Sequence, residues 1–272
     1  MRPAPMFSRI KTGINVYDNV DKASYKGITL KTVFFFVLTM IAAITSYVAL
    51  FYIVIESTKT GELDKARLSG LIVATIICII VAAVFGLIGS FFPSTAKVCG
   101  IVYSLAEGFA LGVLSALVEV AFKMANDSGT NSYPAAGVVP TALFGTLIIF
   151  AVVLVLFATG VIKADRKLRA CFFAILLSIL AISLFTIIMY LTGVINNRSY
   201  LMILLGIEAL YIIYASIMLV FTFAEAQMIV KSGADKKAEW SVAFGLIFCL
   251  IYIYIELLRI AIIILELTNR GK

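Results

Sequence analysis

The chain has 272 residues, of which 62% are hydrophobic and only 14% charged, with a mean hydropathy of +1.10 and a formal net charge of +7. A soluble domain averages about 45–50% apolar and about 25% charged residues, so the surplus apolar surface points to lipid and excludes disorder for most of the chain. Histidine is absent, which removes His-bearing metal sites, Ser–His and Cys–His nucleophile pairs and bis-His haem together; carboxylates, Tyr, Lys and thiols remain for proton chemistry.

Residues 1–27 are polar and mixed, with Arg2, Arg9, Lys11, Lys22 and Lys26, and read as a cytoplasmic N-terminal segment. The first apolar run, 28–55, is too long for a signal-peptide core and is followed by no small-residue cleavage site, so it reads as a true span. Six more runs reach the length needed to cross about 30 Å of hydrocarbon: 68–92, 98–122, 138–162, 170–195, 200–224 and 241–267. They are continuous rather than alternating, which excludes the ten-residue strands of a membrane barrel. A single membrane domain over 28–267, with a short tail at 268–272, is the simplest organisation. Fourteen Lys and Arg fall on the N-terminal side of the membrane and seven on the other, so the N-terminus is expected in the cytoplasm and the C-terminus outside. The basic total then reflects topology, and no nucleic-acid partner is expected.

In the third span Gly108, Gly112 and Ala116 recur every four residues and line one face, which lets helix backbones approach. The four cysteines, Cys78, Cys99, Cys171 and Cys249, form no CxxC pair and read as small buried hydrophobes rather than a redox or metal site.

Acids within the spans carry most of the functional signal: Glu107 and Glu119 in span three, Glu208 in span six, Glu225 at its end, and Glu256 with Arg259 in span seven. A charge at mid-helix costs about 2.5–3.5 kcal/mol on the insertion scale, so span seven needs neighbours that face its charges. Glu256 and Arg259 are three apart and share a helix face, joined by Tyr252 one turn before and Glu266 two turns after. Such a stripe suits an ion or proton path; its structural alternative is a neutralised pair that locks span seven in the core. Glu107 and Glu208 are candidate lining groups, Glu208 alternatively pairing with a neighbouring Tyr or backbone. Glu119 suits a cap or snorkelling role as well as a site, and Glu225 is either an interfacial charge or a gate group. No metal site and no cofactor are assigned.

Three stretches resemble the Bax inhibitor-1 family, specifically its bacterial YccA-like members: SLAEGFALGVLSALVE at 104–119, VVPTALFGT with the later GVIKADRKLR, and FAEAQMIVKSGADKKAEWSVAFGL running into YIYIELLRIAIIIL. The resemblance implies an all-α fold of seven transmembrane helices, six surrounding a central seventh, in a bacterial inner membrane. It also implies a pH-sensitive cation leak, calcium in particular, controlled by a carboxylate pair between spans six and seven. Glu256 in YIEL matches the span-seven acid, and Glu225 in FAEAQMIV matches the span-six acid. Both are Glu where the family pattern usually has Asp, and Arg259 stands where relatives often carry a polar amide. Two carboxylates in contact cannot both ionise cheaply, so such a pair titrates as a unit, with Arg259 as counter-charge.

Calcium takes hard oxygen ligands, which suits a carboxylate-lined passage with Glu107, Glu208 and Tyr252 along it. The alternative expectation is a regulatory membrane protein that binds a membrane protease or other membrane partner without transport, as a monomer or small homo-oligomer. An enzyme is not expected, because the chain offers no nucleophile elbow and no metal cluster.

Overall fold

A computed structural model describes residues 22–60, 65–127, 138–161 and 164–269. The first 21 residues, most of the expected polar segment, and the last three lie outside the described residues. In lipid a backbone must satisfy its own hydrogen bonds, and a continuous apolar run does so as a helix. Among the described residues seven helices follow in order: α1 (Tyr25–Thr60), α2 (Lys65–Phe91), α3 (Ala96–Asp127), α4 (Val138–Ala158), α5 (Arg166–Leu191), α6 (Asn197–Ser232) and α7 (Ala238–Asn269). Each is long and apolar enough to cross a membrane. A single 3-10 turn, Pro93–Thr95, separates α2 from α3, and no strand occurs among the described residues.

Helix ends follow local chemistry. Ser24 caps α1, its Oγ accepting the Gly27 N–H at 3.0 Å. At the far end of α5, Gly193 adopts φ 72°; its N–H donates to the Tyr190 carbonyl, and that of Val194 to the Met189 carbonyl, each at 3.1 Å. Gly233 closes α6 in the same way, with φ 65° and bonds of 3.2 Å from Gly233 to Val230 and from Ala234 to Ile229. Both are Schellman ends, which need a left-handed residue that glycine supplies without a Cβ clash.

The chain divides into two compact units, one formed by Met1–Val113 with Ala224–Phe248 and the other by Leu114–Phe223 with Cys249–Lys272. In the first unit α1 and α3 pack backbone to backbone. A Cβ on Gly108 would stand 2.5 Å from the Thr39 carbonyl oxygen, and one on Gly112 would overlap the Ala43 carbonyl and Ser46 Oγ. Ser46 Oγ donates to the Phe109 carbonyl at 2.8 Å across this contact. The small-residue face of span three is thus a helix-packing face at Gly108 and Gly112, as the four-residue spacing implies. Tyr103 stacks on Phe248 and meets Phe244 edge-on, both with centroids 5.5 Å apart.

The first unit also ties the start of α1 to the α6–α7 connection. The Ala23 N–H donates to the Ala234 carbonyl at 2.9 Å, beside a β-bridge between Lys22 and Asp235. Glu239, buried in the first turn of α7, accepts the Ser24 N–H at 2.8 Å and pairs with Lys31 Nζ at 2.6 Å. Gly27 leaves the space that this carboxylate fills.

In the second unit Ser115 Oγ and the Tyr254 hydroxyl share a buried hydrogen bond of 2.8 Å. Phe172 stacks on Tyr214 at 4.5 Å, and Val118, Phe122 and Leu265 form a small apolar cluster. Of the four free thiols, Cys99 and Cys249 are buried, Cys78 is half-buried and Cys171 is exposed. The expectation of buried thiols therefore fails at Cys171, which is exposed near the start of α5.

Candidate functional site

Glu208 on α6 and Glu256 with Arg259 on α7 come together in the second unit. Arg259 Nη1 lies 3.4 Å from Glu256 Oε2 and 3.5 Å from Glu208 Oε2. The helical spacing of Glu256 and Arg259, less than one turn, puts both on one face of α7. The third charge arrives from α6, and the Glu208 and Glu256 carboxyls are close enough to interact directly.

Burial is uneven within this cluster. The Glu208 and Glu256 side chains are 4% and 2% exposed, whereas Arg259 is 50% exposed. A carboxylate removed from solvent is costly unless a charge or a proton compensates it. One guanidinium serves two carboxylates here, so the cluster is neutral only while a single proton is held between the acids. Glu208 Oε2 is buried and accepts no hydrogen bond; the guanidinium acts on it through space. Tyr252, one turn before Glu256, interacts with that carboxyl, and its ring meets Tyr211 edge-on at 6.5 Å. Phenols and carboxylates thus meet on the α6–α7 face. Among the described residues no group of three or more acids or thiols gathers to hold a resident metal.

The other candidates are placed separately. Glu107, half-buried on α3, and Glu225, half-buried on α6, belong to the first unit. Glu225 lies seventeen residues beyond Glu208 along α6, which continues to Ser232 rather than ending near 224. The acid that α6 brings to Glu256 within the second unit is Glu208, given only a lining role by the sequence; Glu225, which the resemblance implies, lies in the first unit. The sequence signal for this exists: Glu208 and Tyr211 are three apart, so α6 offers an acid and a phenol on one face, as α7 does with Tyr252 and Glu256. Glu119 stands 3.6 Å from Lys123 one turn on, an ordinary helix-surface pair.

Comparison with known proteins adds the family. No curated protein and no solved structure matches the chain significantly. The family model described as Bax inhibitor 1 like matches residues 4–266, nearly the whole chain. Seven membrane-spanning helices and this match together establish that the chain is an integral membrane protein belonging to the Bax inhibitor-1-like family.

Proposed function

We propose that the chain is a pH-sensitive cation leak channel, with calcium the ion carried, and that Glu208, Glu256 and Arg259 are its titratable control element. The observation that carries this reading is the meeting of two buried carboxylates at one half-exposed guanidinium between apolar helices. Each such charge costs about 2.5–3.5 kcal/mol to insert at mid-helix, and intramembrane charges are typically functional groups. Loss of the shared proton would leave two carboxylates against one guanidinium, and the added repulsion acts directly on the α6–α7 packing. The reading assigns no catalytic step and no resident cofactor. On the Lys and Arg asymmetry it places the N-terminus in the cytoplasm, and on the resemblance it places the chain in a bacterial inner membrane.

The test is calcium flux into liposomes carrying the purified chain, scanned from acidic to alkaline pH, beside Glu256→Gln. Flux that varies with pH in the natural chain and is flat in the variant supports the reading. Flux no greater than in empty liposomes at every pH sinks it. Weight would then move to a regulatory role, in which the chain binds and modulates a membrane protease.

A further inference from the structure

Four elements of the first unit converge at one end. The start of α1 is bridged to the α6–α7 connection through Lys22 and Asp235, and Lys31 Nζ reaches the Lys236 carbonyl at 2.9 Å. The first turn of α3 joins them through Lys97, whose Nζ lies 5.3 Å from the centre of the Trp240 ring. Lys31 Nζ lies over the same ring at 4.8 Å. Trp240, the only tryptophan of the chain, is half-buried, with Phe34 and Phe35 packed edge-on against it.

The charge at this end is one-sided. Lys22, Lys26, Lys97, Lys231, Lys236 and Lys237 are all exposed. Among the described residues of the α6–α7 connection and the helix starts beside it, the acids are Asp235, exposed, and Glu239, which Lys31 neutralises inside the fold. At the other end of α1 the described charges balance: Arg67 donates to Glu56 at 2.7 Å. Four to eight basic residues immediately outside a span bind anionic headgroups, each adding attraction close to the surface. A tryptophan ring sits naturally at headgroup depth, and exposed Tyr25 lies in the first turn of α1.

We infer that the lysines of α1, α3, α6 and the α6–α7 connection, gathered around Trp240, form a docking surface for the phosphate headgroups of anionic phospholipids. Lysines that only fix topology need lie no closer together than the loops that carry them. Here the backbone bridge, the Lys31–Glu239 pair and the two ammonium groups on Trp240 draw those of separate helices to one place. Lys31 is committed to Glu239 and the Lys236 carbonyl, so it is a positioning residue. Lys97 and the exposed lysines on either side are the headgroup contacts. The inference does not depend on ion transport.

Trp240 makes the test direct. The full chain is reconstituted into phosphatidylcholine vesicles doped with the same small fraction of brominated phosphatidylcholine or brominated phosphatidylglycerol, and bromine quenching of its fluorescence is compared. The brominated anionic lipid is expected to quench several-fold more strongly, with the excess shrinking as salt rises. Lys97→Gln is expected to lower the excess about two- to fivefold, and Lys22→Gln with Lys26→Gln to lower it further. Equal quenching by the two lipids at low salt would overturn the proposal. So would an anionic excess that neither salt nor the lysine variants change. An unchanged emission maximum in unbrominated lipid verifies that each variant keeps its fold, and the salt series on the natural chain decides the matter if one does not.

Discussion

Arg259 Nη1 stands 3.5 Å from Glu208 Oε2, joining α6 to α7 through an ion pair in which the carboxylate is buried and the guanidinium half-exposed. The same nitrogen is 3.4 Å from Glu256, so one cation holds two acids that would otherwise repel each other. Removing it has consequences for stability.

Arg259→Met is expected to destabilise the second unit. Breaking a fully buried pair costs about 3–5 kcal/mol, and half-exposure of the guanidinium places the loss below that range. Thermal unfolding in detergent should shift down in Arg259→Met and recover in part when Glu208→Gln and Glu256→Gln are added. A single variant as stable as the natural chain would mean that protons alone neutralise the acids.

Gly112→Ala should separate α1 from α3, because its Cβ would overlap the Ala43 carbonyl and Ser46 Oγ. Overpacking of this kind costs about 1–3 kcal/mol. Gly70→Ala is the matched control: a Cβ there meets nothing within 4 Å, and alanine improves helix propensity by up to about 1 kcal/mol. Unfolding temperatures should therefore move in opposite directions. Equal shifts would show that the α1–α3 contact is not tight at Gly112.

Lys31→Met leaves Glu239 buried against the first turn of α1 without its 2.6 Å partner. A loss of about 3–5 kcal/mol is expected, largely recovered when Glu239→Leu is added, because the pair can be replaced together more cheaply than it can be broken. Proteolysis at the α6–α7 connection reads the same event: Lys31→Met should be cut faster than the natural chain. Equal rates would show that the bridge between Lys22 and Asp235 holds the connection without the ion pair.

The helices were legible because apolar length is a one-dimensional signal. All seven runs became helices, with ends that moved where polar residues continue a helix past its apolar run. Glu225 shows this: α6 carries on for seven residues beyond it. The face shared by Tyr252, Glu256 and Arg259 was also legible, since it depends only on helical spacing. The acid opposite was not, because the choice between Glu208 and Glu225 depends on how α6 and α7 are aligned along their length. Glu239 gave no sequence signal either. Its partners Ser24 and Lys31 are 215 and 208 residues away, and only the packed fold brings them together.

The pairing of Glu208 with Glu256 is the claim most open to direct test. Calcium flux into liposomes should be measured against pH for the natural chain, Glu208→Gln and Glu225→Gln. Glu208→Gln is expected to flatten the profile as Glu256→Gln does, while Glu225→Gln keeps its shape. A profile abolished by Glu225→Gln and preserved in Glu208→Gln would contradict it.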